Sequence, residues 1–157
     1  MRSFACRPKA AHRIGLHATM PEFGHDFNRS NLPRGLPLRT VVLRHDLAEG
    51  GGHWDWMIQR FARPDSPLVS FRVGVRVDRA GSAPFEAEPV PDHRCAYLEL
   101  EGPLSENRGS VRRVASGVAA LTELARGGIE IIVDFGDGLM TFRAAQEPDG
   151  RWRFVRV

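Results

Sequence analysis

The stretch GIEIIVDFGDGLMTFRAAQEPDGRWRFVRV, residues 128–157, decides the fold. Apolar or aromatic residues alternate with polar ones in three segments of it, 128–135, 139–145 and 151–157. Such a period of two is typical of half-buried β-strands. The turns GDG and PDG separate the segments, and Asp-Gly turns are a strong signal for hairpins. The stretch therefore predicts a meander of three antiparallel strands.

The same pattern continues upstream. TVVLRHD (40–46), HWDWMIQ (53–59) and LVSFRVGVRV (68–77) each contain alternating or β-branched residues, which predict further strands. CAYLELEG (95–102) and SVRRVA (110–115) follow with a polar turn between them, and we expect both to be strands as well.

Two segments are ambiguous. EPVPDHR (88–94) carries two prolines, which place it at a sheet edge or in a connection. VASGVAALTELAR (114–126) favours a helix by propensity, but a strand fits the spacing of the meander, and both readings stay open. Residues 39–157 thus predict an all-β, mainly antiparallel domain, a small closed or strongly curved β-barrel with short helical or irregular connections.

The remaining residues, 1–38, show neither a strand nor a helix period and predict an irregular basic leader. The chain of 157 residues suits one domain, and its net charge of +3 favours an anionic partner. Lys9 is the only lysine, so arginine supplies nearly all the positive charge. Neither a signal peptide nor an apolar run of about 18 residues, as a membrane span requires, is evident. We expect a cytoplasmic protein.

The pair of metal-binding residue types in HWDW is the clearest chemical signal. Residues two apart on a strand share a face, so His53 and Asp55 would project together while the tryptophans beside them face the other way. A histidine and a carboxylate on one face can both bind a divalent metal. His45, at the end of the preceding strand, and His93 could complete the site. The alternative is that these are ordinary polar residues at strand ends.

Longer strings resemble a known family. VVLRHD and HWDWMI within 41–58, LVSFRV (68–73), and VPDHRCAYLELEGPLSENRGSVRRVASG (90–117) are similar to the 3′-phosphoesterase domain of bacterial DNA ligase D, especially its short stand-alone relatives. The resemblance is close over residues 40–117 and looser over the final meander. It implies a compact β-barrel that acts as a metal-dependent 3′-phosphoesterase and 3′-ribonuclease on DNA 3′ ends in end-joining repair.

The resemblance also implies roles for single residues. By position in the motifs, His45, Asp55 and His93 would hold a divalent metal, most often Mn²⁺, with Zn²⁺ or Co²⁺ as alternatives. His53 resembles a residue that contacts the scissile phosphate and assists catalysis. The implied reaction is metal-assisted phosphoryl hydrolysis. The implied partners are DNA 3′ ends, such as a primer–template, and a ligase or polymerase of end joining. We expect the protein itself to be a monomer.

The sequence departs from the fused family members at two arginines. Where they place an arginine two residues after the aspartate, this chain has Met57. Where they place a second one before the later metal-binding histidine, this chain has Phe85 and Glu86 nearby and no arginine. The candidates to supply the missing charge are Arg94, Arg108 and Arg112. For Arg108 the alternative is that its side chain braces the surrounding loop.

These departures leave a second function open. A catalytically impaired member of the family would keep the barrel and serve as a module that binds DNA ends or a protein. RNA or a small phosphoester is a further alternative to DNA as the substrate.

Overall fold

The computed structural model of the protein describes residues 38–157, so the predicted leader lies outside the described residues except for its last position. The described chain contains three short 3₁₀ helices, at Val77–Arg79, Cys95–Leu98 and Ala125–Gly127. Its nine strands are β1 Leu38–Asp46, β2 Gly52–Gln59, β3 Leu68–Val73, β4 Phe85–His93, β5 Gly102–Pro103, β6 Ser110–Glu123, β7 Ile129–Asp134, β8 Leu139–Gln146 and β9 Trp152–Arg156.

Eight of these strands close a barrel. Their order is β1-β2-β3-β4-β9-β8-β7-β6, β6 pairs back onto β1, and all pairs are antiparallel. The two-residue strand β5 adds to the beginning of β6. Closure leaves the main strands without long unpaired edges. The predicted all-β antiparallel barrel is confirmed, and so is its C-terminal meander β7-β8-β9.

Aromatic side chains fill the barrel interior. The Trp56 ring lies 5.6 Å from that of Phe142 and 5.5 Å from that of Phe154, centroid to centroid. Phe154 also packs against Phe71 at 5.4 Å and stacks on Phe85 at 5.3 Å. An eight-stranded barrel has room inside for little more than its own side chains. A site for a large substrate therefore belongs on the outside of this barrel.

A second, smaller apolar cluster lies on the outer face of β1, β2 and β3. Its fully or nearly fully buried members are Val41, Leu43, Met57, Leu68 and Leu98. The 3₁₀ helix Cys95–Leu98 covers this cluster with Leu98 and the half-buried Tyr97. The expectation of a strand at 95–102 is wrong at this point. A strand would turn the adjacent Tyr97 and Leu98 to opposite faces, whereas the helical turn lets both cover the cluster.

The two ambiguous segments are strands. Residues 114–123 belong to β6, and a Cβ on Gly117 would lie 2.0 Å from the carbonyl oxygen of Asp134, so close approach of β7 requires glycine there. In β4 only Phe85–Ala87 pairs with β9. Residues 88–93, which include both prolines, therefore have a partner strand on the β3 side alone. None of the helices in residues 38–157 is long and apolar enough to span a bilayer.

Candidate metal centre

The β1–β2 hairpin brings three of the predicted site residues together, His45, His53 and Asp55. His45 lies directly opposite His53, and Leu43 lies opposite Asp55, in the antiparallel register of the two strands. Directly opposed residues project from the same face of a sheet. The imidazole rings of His45 and His53 are 4.9 Å apart and inclined at 72°. All three polar side chains therefore lie on the outer face, beside the apolar cluster, as the alternation in HWDW predicted.

These three residues form a compact group that could hold a metal ion, and we call it the His–His–Asp group. Asp55 Oδ2 lies 3.3 Å from His53 Nε2 and 3.9 Å from His45 Nδ1. One ligand atom from each residue lies within 4.8 Å of the other two. Imidazole and carboxylate are ligands that Zn²⁺, Mn²⁺ and Co²⁺ accept, and two imidazoles with one carboxylate leave coordination positions open.

Two buried atoms of the group lack a hydrogen bond, although each has a charged neighbour, at 3.3 Å for His53 Nε2 and at 4.0 Å for Asp55 Oδ1. His53 Nε2 and Asp55 Oδ1 make no hydrogen bond with any described residue. Buried polar atoms nearly always have a partner, because leaving one unsatisfied costs about 1–3 kcal/mol. A divalent cation would accept a lone pair from Asp55 Oδ1, and His53 Nε2 is left to a cation or to an oxygen atom of a ligand. The donor set and its orphaned atoms therefore fit a divalent cation.

A backbone carbonyl orients His45. Its Nε2 lies 2.7 Å from the carbonyl oxygen of Arg108, an atom that can only accept a hydrogen bond. The neutral imidazole must therefore carry its proton on Nε2 and its lone pair on Nδ1, the nitrogen nearer Asp55. Metal-binding histidines are commonly fixed in this way through their second nitrogen.

The loop that supplies this carbonyl is tightly built. Glu106 and Asn107 both have left-handed backbone conformations, with φ of 60° and 52°. Arg108 donates from its guanidinium to the carbonyl and the hydroxyl oxygen of Ser105, each at 3.0 Å. Gly109 has φ of 89°, and a Cβ there would lie 1.9 Å from the carbonyl oxygen of Asp46. The contacts of the Arg108 side chain are those of the bracing alternative.

His93 lies beside the His–His–Asp group, not within it. One extra residue in β4 shifts the register so that His93 pairs with Leu68. The Ser70 hydroxyl lies 2.9 Å from the carbonyl oxygen of Leu68, to which it donates, and its oxygen lies 3.0 Å from His93 Nδ1. His93 therefore donates through Nδ1 and keeps its lone pair on Nε2. Its ring meets that of Tyr97 edge to face at 4.7 Å.

Burial keeps two of these histidines neutral. It lowers the pKa of His53 and of His93 below the ordinary value of 6.5, and the carboxylate of Asp55 opposes this in both cases. The charge of Asp55 thus reaches His93 as well as His53. Both imidazoles have a free lone pair near neutral pH, which is the form that binds metals.

Arg72 is the one described arginine that forms an ion pair with the His–His–Asp group, and it was not among the residues predicted for the site. It lies opposite Asp55 on β3, with its Nε 4.0 Å from Asp55 Oδ1, and 44% of its side chain is exposed. The signal was the alternation in LVSFRV, which puts Ser70 and Arg72 on one face. Arg94 is exposed at the start of the 3₁₀ helix and makes no ion pair with the group.

Position 57, where the resembled family has an arginine, is apolar in this chain. Met57 is fully buried in the outer cluster, between Val41 on β1 and Ser70 on β3. An arginine at this position would be covered by the 3₁₀ helix in the present packing. The Phe85 side chain points into the barrel core, so it also contributes nothing to the outer face.

No protein-family model matches this sequence, and no curated protein matches it either. The functional interpretation therefore rests on the residues of the outer face and on their geometry.

Proposed function

We propose that this protein is a divalent-metal-dependent phosphoesterase that processes DNA 3′ ends, related to the 3′-phosphoesterase domain of bacterial DNA ligase D. The observation that carries the proposal is the pair of orphaned atoms, His53 Nε2 and Asp55 Oδ1, in a His–His–Asp group on the outer face of the barrel. A cation site beside an exposed arginine suits phosphoryl hydrolysis, which needs positive charge on the phosphate oxygens. A site on the outer face suits a polymer end, because side chains fill the interior of the barrel.

His45 and Asp55 are cation ligands in this proposal, and two histidines compete for the third place. Distance favours His53, which completes the compact group. Hydrogen bonding favours His93, because His45 and His93 each have one ring nitrogen anchored on an oxygen acceptor. We assign His93 as the third ligand, since anchoring through the second nitrogen is the regular arrangement of metal-binding histidines.

Each part of the site then has its own role in the reaction. A bound divalent cation supplies Lewis-acid polarisation of the phosphoester. His53 is then available to contact a phosphate oxygen or to transfer a proton at Nε2. Its lowered pKa keeps part of the His53 population neutral at pH 7. The buried layer of Met57, Leu43 and Leu98 supports the site from beside and excludes water there.

Met57 favours a second candidate function. Because it takes the place of a family arginine and is fully buried, the outer face has one cation fewer for transition-state charge than the fused family members. A module that binds DNA ends without hydrolysing them is therefore the alternative.

A phosphate-release assay separates the two functions. The purified full chain is incubated with a primer–template ending in a 3′-phosphate, with Mn²⁺ or with EDTA. We expect Mn²⁺-dependent release of phosphate, which Asp55→Asn abolishes while Arg143→Gln, on the distant strand β8, preserves it. Binding of the same DNA with no release under Mn²⁺, Zn²⁺ or Co²⁺ would support the binding module. Parallel assays on an RNA-terminated primer and on a small aryl phosphate identify the substrate class.

A further inference from the structure

Arg72 is placed to bind an anion beside the cation site. Its contacts with Asp55 and Glu88, at 4.0 and 3.7 Å, are longer than hydrogen bonds. Its guanidinium N–H groups therefore remain uncommitted among the described residues, and almost half of the side chain is exposed.

The neighbouring arginines differ in this respect. Arg44 donates to Asp46 at 2.7 Å, and Arg108 donates to Ser105 at 3.0 Å. Arg113 donates to the carbonyl oxygen of Leu98 at 2.9 Å and to Glu99 at 3.0 Å. Each of these guanidiniums already has hydrogen-bond acceptors within the protein. Arg72 lies beside the His–His–Asp group and keeps its donors available to a ligand.

The charge of Arg72 reaches several groups of the site. It opposes protonation of both His53 and His93, lowering the pKa of each, although burial is the larger cause. The guanidinium therefore lies within electrostatic reach of both histidines, on the same outer face as Asp55. An anion held by Arg72 would lie within reach of the cation site and of His53.

We propose that Arg72 is the phosphate-binding arginine of this protein, holding the terminal 3′-phosphate of the substrate from β3. This assignment rests on the proposed function for the identity of the anion. Guanidinium binds phosphate through paired N–H donors, an arrangement that lysine cannot reproduce. Arg72 thereby supplies from β3 the charge that Met57 does not supply from β2.

The position of Arg72 predicts effects of opposite sign on two ligands. A guanidinium 4.0 Å from Asp55 Oδ1 repels a cation bound by that carboxylate. Removing it should tighten Mn²⁺ binding severalfold while weakening the binding of the phosphate. A merely structural role would weaken both.

The experiment uses Arg72→Gln, with Arg72→Lys as a second variant and Arg143→Gln as the matched control. Arg143 is paired with Glu130 at 2.9 Å on β8, on another side of the barrel. Fluorescence anisotropy in EDTA gives the affinity for the same primer–template ending in a 3′-phosphate or a 3′-hydroxyl. Loss of the electron paramagnetic resonance signal of free Mn²⁺ gives the cation affinity, without any reliance on activity.

We expect the wild type to prefer the 3′-phosphate by about tenfold to a hundredfold, the usual worth of a charged hydrogen-bonded pair. Arg72→Gln should abolish this preference and keep or tighten Mn²⁺ binding, and Arg72→Lys should retain part of the preference. A wild type without the preference, or an Arg72→Gln variant that keeps it, overturns the assignment. So does an Arg72→Gln variant that loses Mn²⁺ as well.

The outcomes also separate this assignment from the proposed activity. An Arg72-dependent preference in a protein that never releases phosphate would leave the anion site standing and remove the hydrolase. Mn²⁺-dependent hydrolysis with unchanged kcat and KM in Arg72→Gln would support the hydrolase and remove the anion site.

Discussion

His45 donates its Nε2–H to the backbone carbonyl oxygen of Arg108 over 2.7 Å, and this bond joins positions 63 residues apart in the chain. It directs the lone pair of Nδ1 toward Asp55. The acceptor is a backbone atom, so no replacement of the Arg108 side chain removes it. A change in the backbone of the 104–109 loop tests its importance without altering His45.

Gly109→Ala is that change, and Gly150→Ala is its matched control. Both glycines have nearly the same backbone angle, with φ of 89° and 88°. An added Cβ meets the Asp46 carbonyl oxygen at 1.9 Å in the first case and nothing within 4 Å in the second. We expect Gly150→Ala to lower the free energy of unfolding, measured in urea, by about 1–2 kcal/mol, because alanine is strained in the left-handed backbone conformation. Gly109→Ala should lose more and should also weaken Mn²⁺ binding. Equal losses and equal Mn²⁺ affinity would show that the loop does not support the site.

The barrel was predictable because its signal is local. Alternation and Asp-Gly turns in 128–157 define three strands without any knowledge of their partners. Segment 114–126 was ambiguous because its helix propensity is overruled by pairing with β1 and β7, which is a tertiary effect. The 3₁₀ helix Cys95–Leu98 was missed because the cluster that it covers forms only when β1, β2 and β3 are paired.

The candidate site was predictable where its residues lie on one strand or one hairpin. His53 and Asp55 share a face by spacing alone, and His45 joins them through a short hairpin. Arg72 could not be placed, because its position opposite Asp55 depends on the register between β2 and β3. The shift that turns His93 toward Ser70 comes from an extra residue in β4, and a bulge of this kind has no clear mark in the sequence.

The third cation ligand can be identified by comparing His93→Gln with His53→Gln. Because the ring of His93 is anchored on Ser70, we expect His93→Gln to lower Mn²⁺ affinity strongly and His53→Gln to spare it while reducing hydrolysis. Ser70→Ala should lower Mn²⁺ affinity about tenfold to a hundredfold, as loss of a supporting hydrogen bond does. If His53→Gln removes Mn²⁺ binding and the other two variants keep it, His53 is the ligand.

Introducing an arginine at position 57 should damage the fold. Met57 is fully buried within the apolar cluster that Leu98 covers. An arginine there would bury an unpaired charge, which costs several kcal/mol. We expect Met57→Arg to lower the urea midpoint markedly, whereas Met57→Leu should cost less than about 1.5 kcal/mol. A Met57→Arg variant as stable as the wild type and faster in phosphate release would contradict this.

Stability should depend on pH through His53 and His93. Their pKa values are lowered below 6.5 by burial in the folded protein, so the unfolded chain binds more protons in the window just below 6.5. Stability is therefore full above this window and falls as the pH decreases through it. In EDTA, we expect a lower urea midpoint at about pH 5.5 than at about pH 7.5. The double variant His53→Gln, His93→Gln should show a smaller difference. An identical difference would assign the pH dependence to other groups.

The position of the cation can be measured directly. Crystals soaked in Mn²⁺ would be recorded on both sides of the manganese absorption edge, and the anomalous difference map would locate the ion. We predict one strong peak on the outer face of the barrel, contacting Asp55 and His45 Nδ1, with His93 Nε2 as the third protein ligand. The absence of a peak there at saturating Mn²⁺, or a peak that contacts neither His45 nor Asp55, would contradict the proposed metal centre.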